Sequence, residues 1–167
     1  IDAMSIVRET HKDAIGVVVG GPWGNSQKYF DKIKKYAKEK CGDNIIFTGY
    51  RTDIKDIYCE LDIVVHPSHS ENLGGAAESL AGARPTISTN VGGFPDIVID
   101  GETGYTVPPK NPKELSKAII KMLGDEENAN KMAQKGQDLV RELLDINSTT
   151  LKMKEVYEDI LRKESTK

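Results

Sequence analysis

The stretch Ile63-Val64-Val65-His66-Pro67-Ser68-His69-Ser70-Glu71-Asn72-Leu73-Gly74-Gly75-Ala76-Ala77-Glu78 decides how this chain is read. It opens with a short β-branched run, breaks at His66-Pro67-Ser68, and passes through a polar loop into helical spacing. A continuous apolar run without polar alternation is the pattern of a strand buried on both faces. Such a strand leading through a loop into a helix is the repeating unit of a parallel sheet covered by helices.

The same unit recurs on either side. Upstream, helical spacing over Ile1 to Val7 precedes the run Ile15-Gly16-Val17-Val18-Val19, which Gly20-Gly21-Pro22 breaks. From Ser26 to Lys40 the apolar positions Tyr29, Phe30, Ile33, Tyr36 and Ala37 recur at helical spacing, and Gly42-Asp43-Asn44 ends that helix. Ile45-Ile46-Phe47 reads as the next strand, with Thr52 as the expected cap of a short helix over 53–60. Downstream, a helix over 75–81 ends at Gly82, Thr86-Ile87-Ser88 and Tyr105-Thr106-Val107 read as strands, and Gly92-Gly93 is a turn. An all-helical tail follows over 112–123, 126–143 and 148–163, with Asn111, Asp125 and Ser148 as expected caps. The expectation is one α/β domain over residues 1–167: a Rossmann-like parallel sheet with helices on both faces and a helical C-terminus.

Composition narrows the function. With 38% hydrophobic and 29% charged residues the chain is an ordinary globular protein. Its net charge of -3 carries no basic surplus, so nucleic acid is not an expected partner. The longest apolar run is far short of the roughly 20 residues of a membrane-spanning helix. Cys41 and Cys59 have no metal-like spacing and read as thiols of a reducing compartment. The chain opens at Ile1, without an initiator methionine and already in helical spacing, so the native start is expected upstream.

Ligands of open parallel sheets bind where strand ends lead into helix N-termini. Four loops qualify: Gly20-Gly21-Pro22, Gly49-Tyr50-Arg51, His66 to Gly75, and Asn90 to Gly93. A strong polar cluster stands only in the third. Gly74 and Gly75 open a helix whose first amides and positive dipole end suit an anion such as a diphosphate. Glu71 lies just before that helix and Glu78 about one turn inside it, both carboxylates being acceptors suited to vicinal sugar hydroxyls. The combination fits a sugar–diphosphate–nucleoside. His66 and His69 read as structural or solvent-exposed rather than catalytic.

The segment from Asp62 to Ser68, with Glu71 and Glu78, then Gly82-Ala83-Arg84-Pro85-Thr86-Ile87-Ser88-Thr89-Asn90-Val91-Gly92-Gly93, resembles the C-terminal domain of the group 1 retaining glycosyltransferases. The similarity continues through Asp100-Gly101-Glu102-Thr103-Gly104 and, upstream, through Val19-Gly20-Gly21-Pro22 and Ile46-Phe47-Thr48-Gly49-Tyr50. That resemblance implies one half of a GT-B fold and transfer of a sugar from a nucleotide diphosphate. It implies Glu78 on the ribose hydroxyls and Glu71, the candidate catalytic residue, facing the transferred sugar. Asn72, Leu73, Gly74 and Gly75 would then line sugar and phosphate, Tyr50-Arg51 would lie beside the nucleobase, and Gly20-Gly21 would border the cleft. No metal or other cofactor is implied, only the nucleotide sugar as donor substrate. The acceptor glycan or lipid, and any membrane contact, would belong to an N-terminal domain outside this chain, in a cytoplasmic enzyme.

Two departures qualify the resemblance. The family's paired glutamates are separated by seven residues, whereas six lie between Glu71 and Glu78. Either the loop is one residue shorter or Ser70 occupies the first glutamate's place. The family's domain also begins with a strand and a Gly-rich turn carrying an Arg and a Lys for the diphosphate, and this sequence starts after them. Two other readings remain: a nucleotide-sugar epimerase of similar architecture, and a non-catalytic α/β binding module.

Overall fold

The computed structural model describes residues 1–164. In chain order its elements are α1 (Asp2–Thr10), β1 (Gly16–Val19), α2 (Gln27–Cys41), β2 (Ile45–Gly49), α3 (Ile54–Glu60), β3 (Val64–His66), α4 (Gly74–Ala81), β4 (Thr86–Thr89), β5 (Tyr105–Val107), α5 (Pro112–Leu123), α6 (Glu126–Leu143) and α7 (Ile146–Glu164). The expected α/β alternation and helical tail are present. The strands pair in parallel throughout, but in two sheets rather than one: β1 with β2, and β3-β4-β5 in that order. No described strand pairs with the second edge of β1 or of β3, so the ladder is interrupted there.

The three-stranded sheet is covered on both faces. Alternation along β4 sends Ile87 into a cluster with Ala3 and Val7 of α1, Tyr105 and Val107 of β5, Ile119 and Met122 of α5, and Met132 of α6. Thr86, one residue earlier, turns its hydroxyl the other way to Ser79 of α4 at 3.0 Å. On that face Ala76 and Leu80 of α4 pack with Phe94, Ile97, Val98 and Val140 of α6. All four residues of β4 are buried, as a central parallel strand requires.

The two-stranded sheet departs from expectation. Phe30 of α2 meets Phe47 edge to face at 5.6 Å, which covers one face of β2. Val17, Val18 and Val19 nevertheless stay 36–40% exposed and Ile46 48%, although the run reads as a buried strand. With a single ladder partner and a helix on one side, these side chains have no second layer to enter. The apolar residues Ile146, Leu151, Met153, Val156, Tyr157, Ile160 and Leu161 of α7 are likewise exposed.

Capping corrects the expectation at two helices. Asn111 and Asp125 cap α5 and α6 as expected, accepting from Glu114 N at 3.2 Å and Asn128 N at 3.1 Å. Thr52 does not cap α3; the N-cap position is Asp53. Ser148 is not a cap either: α7 starts two residues before it, and the Asp145 carboxylate accepts from Ser148 N at 2.7 Å. At α7 the Asp145 carboxylate thereby faces the positive end of the helix. Helix α4 begins at Gly74, one residue ahead of expectation, with Leu73 at the N-cap.

Gly104 lets β5 approach β4. A Cβ there would stand 2.3 Å from Thr86 O and 2.9 Å from Val98 Cγ1. Gly104→Ala is therefore expected to destabilise the chain toward the upper end of the roughly 1–3 kcal/mol typical of overpacking. Urea unfolding followed by circular dichroism measures it.

Candidate functional site

Strand β3 ends at His66, and the loop to α4 is held from three directions. From β4, Thr89 Oγ1 donates to Ser68 O at 2.7 Å. From the turn after β4, Gly92 approaches so closely that a Cβ would lie 1.8 Å from Glu71 O. Gly92 also has φ +56°, a conformation only glycine takes without strain. Its neighbour Gly93 leaves room for Leu73, whose Cγ and Cδ2 would each sit 2.9 Å from an added Cβ. Within the loop, Asn72 Oδ1 accepts from Gly74 N at 2.9 Å.

The helix N-terminus is thus built differently from the sequence expectation. Gly74 N is already engaged by Asn72, so the unpaired donors ahead of the first helical bond (Ala77 N to Leu73 O, 2.9 Å) are reduced to Gly75 and Ala76. Gly75 is small for a second reason as well: an added Cβ would meet the His66 ring at 3.1 Å. His66 Nε2 lies 3.1 Å from Ser79 Oγ, and its ring lies 5.7 Å from that of Phe94. The imidazole is a packing element under α4, in line with the structural reading of that residue. His69 is exposed.

Both glutamates of the pair are exposed. The Glu71 carboxylate accepts from its neighbour Asn72 N at 2.9 Å and lies 3.4 Å from Ser68 Oγ, so it folds back on its own loop. Glu78 Oε2 accepts from Tyr58 Oη at a long 3.5 Å. Tyr58, in the last turn of α3, was not singled out in the sequence. Burial raises its phenol above the usual value, and the Glu78 charge raises it further. A partner twenty residues away, on another helix, leaves no local pattern to read.

The remaining candidates gather at the ends of β1 and β2. Gly20 forms an antiparallel bridge with Gly49, and Gly20 N donates to Gly49 O at 3.1 Å. A Cβ on Gly21 would stand 3.4 Å from Tyr50 N. The Gly20-Gly21 loop and the Gly49-Tyr50 turn are therefore in contact. Arg51 is engaged by Asp53, to which its Nε donates at 2.7 Å and its Nη2 also pairs. That carboxylate raises the guanidinium's pKa and is itself held below the usual range. Among the described residues no three His, Cys, Asp or Glu side chains gather as metal ligands. Cys41 is buried and Cys59 exposed, both as free thiols.

This architecture is one half of a GT-B glycosyltransferase. A sucrose-phosphate synthase from Thermosynechococcus elongatus matches it with a TM-score of 0.84 at 26% identity, over 97% of this chain and 42% of that one. The C-terminal domain of a group 1 family glycosyl transferase from Francisella tularensis matches with a TM-score of 0.77 at 30% identity, over 86% of this chain and 76% of that one. The lipopolysaccharide core biosynthesis mannosyltransferase LpsB of Rhizobium meliloti is 26% identical over 166 residues, 97% of this chain and 47% of LpsB. The family model for glycosyl transferases group 1 matches residues 1–139, and the chain belongs to that family. It spans less than half the length of the curated relatives it matches.

Two expectations follow from this geometry. Gly92→Ala forces a methyl group into Glu71 O at a positive φ, and should cost about 3 kcal/mol in urea unfolding. Burial depresses the His66 pKa, an effect that the nearby Glu71 charge partly opposes. As pH falls, the unfolded chain then takes up the proton first, so the stability from neutral His66 is full above the unfolded value of about 6.5 and is lost as pH falls toward the folded one. Urea unfolding at about pH 7.5 and about pH 5.5 should show a smaller loss in His66→Gln than in the unsubstituted chain.

Proposed function

We propose that this chain is the donor-binding half of a retaining glycosyltransferase, which transfers a sugar from a nucleotide-diphosphate sugar to a glycan, lipid or small-molecule acceptor. One observation carries the reading. The Glu78 carboxylate, backed by Tyr58, stands one turn inside a helix that follows the end of a parallel strand and opens on Gly74 and Gly75. Carboxylate acceptors bind vicinal hydroxyls, and amides at a helix N-terminus bind phosphate. Spaced by one turn of helix, the two suit the ribose and diphosphate of one ligand.

In this reading Glu78 holds the ribose, while Asn72, Leu73, Gly74 and Gly75 line the diphosphate and sugar. Glu71 faces the transferred sugar, and Gly20, Gly21, Tyr50 and Arg51 border the base. The helix-terminus amides offset charge that develops on the departing diphosphate, an electrostatic contribution fixed before reaction. The contacts to ribose and diphosphate position the anomeric carbon. No metal or other cofactor takes part. The acceptor binds to a domain outside this chain, which also supplies part of the catalytic machinery, so the chain alone is inactive. No described helix is long and apolar enough to cross a membrane. A cytoplasmic enzyme, touching a membrane at most through that other domain, accords with a nucleotide-sugar donor.

Saturation-transfer NMR of the chain with uridine, guanosine and adenosine diphosphates and their sugar conjugates tests this. One base family should bind, unaffected by EDTA, and Glu78→Ala should weaken it roughly tenfold or more, the loss of charged hydrogen bonds. Binding unchanged by Glu78→Ala removes the ribose assignment. Binding abolished by EDTA removes the metal-free one.

A further inference from the structure

Trp23 is the single tryptophan of the chain, and it is 90% exposed. An indole is among the side chains that gain most from leaving water, so one held fully in solvent calls for a partner. Gly20 at φ +129° and Gly24 at φ +56° turn the chain on either side. Trp23 O accepts from Ser26 N at 3.2 Å and from Ser26 Oγ at 2.6 Å. The same loop is joined to the Tyr50 turn through the Gly20–Gly49 bridge, and Tyr50 is itself 83% exposed. Two large exposed rings therefore stand on two joined loops at the carboxyl ends of β1 and β2. Helix α3, which follows the Tyr50 turn, carries Tyr58 to Glu78.

We propose that Trp23, with Tyr50, forms the stacking platform for the nucleobase of the donor, which makes Trp23 a further donor-binding residue. This rests on the donor-site reading above. A base joined to a ribose at Glu78 extends along α3 toward the Tyr50 turn, where the Trp23 loop is tied. An aromatic platform binds any base by its face and favours those with the larger ring system, without hydrogen-bond readout. Arg51, paired with Asp53, is less available for that role.

Because Trp23 is the sole tryptophan, its emission reports the site directly. The chain is titrated with uridine, guanosine and adenosine diphosphates, and with inorganic pyrophosphate as a ligand without a base. Binding is followed in parallel by saturation-transfer NMR. The expected result is quenching of Trp23 emission by the nucleotides at the concentration where NMR detects binding, with no quenching by pyrophosphate. Trp23→Ala should weaken nucleotide binding roughly tenfold, Trp23→Phe should retain most of it, and pyrophosphate should bind both variants like the unsubstituted chain. Nucleotide binding with unchanged emission and unchanged affinity in Trp23→Ala overturns the platform and leaves the donor site standing. If no nucleotide binds the unsubstituted chain, the donor-site reading and the platform fall together.

Discussion

The approach of Gly92 to the carbonyl of Glu71 is the contact on which the rest of the site depends. Backbone meets backbone there, at a distance that excludes even a methyl group, and at a positive φ that glycine adopts most readily. The contact fastens the turn leaving β4 to the loop leaving β3. Gly93 then admits Leu73, the N-cap of α4, so the same turn also seats the start of the helix. Thr89, the last residue of β4, adds its hydrogen bond to Ser68. The polar loop is thereby held along most of its length by a fully buried strand and the turn that follows it, and its donors and acceptors are oriented before any ligand arrives. Preorganisation of this kind is what electrostatic stabilisation of a leaving group requires.

Beneath the loop the helix rests on an imidazole. Gly75 has no side chain, so His66 fills that space, and Ser79, Ala76 and Thr86 continue the hydrogen-bonded layer inward. Glycine at this position brings the strand end close beneath the helix, because a side chain there would meet the His66 ring. A half-buried histidine suits such a layer better than an apolar residue of similar size, because it offers the Ser79 hydroxyl a partner.

Most of the architecture was legible in the sequence because its elements are local. β-branched runs, helical spacing, Pro112 after Asn111 and the acidic cap at Asp125 each announce themselves within a few residues. What stayed hidden is long-range. The Gly74-Gly75 pair reads as an opening for an anion, yet Asn72 and His66 take part of that opening, one from the loop and one from the preceding strand. Gly92-Gly93 reads as a turn, and its actual constraint is a neighbour more than twenty residues back. Tyr58 belongs to the site only through Glu78, twenty residues ahead. The break between the two sheets could not be read either, since an apolar strand looks the same whether or not its second edge finds a partner.

That break divides the site's support unequally. Glu71 and Glu78 stand at one end of the three-stranded sheet, which carries an apolar cluster on each face and whose strand β4 is buried throughout. Tyr50, Gly20 and Gly21 stand on β1 and β2, where the valines remain half in water and one helix supplies the packing. Local opening free energy follows buried apolar contact, so the second support is the weaker one. The bridge from Tyr58 to Glu78 is a single long hydrogen bond, too weak to equalise them. The two carboxylates proposed to read sugar hydroxyls are consequently held on the better-packed base, while the aromatic loops sit on the part of the fold with more freedom to adjust. Stacking tolerates that freedom, because an aromatic face accepts a base over a range of positions, whereas a carboxylate must meet a pair of hydroxyls at fixed distances.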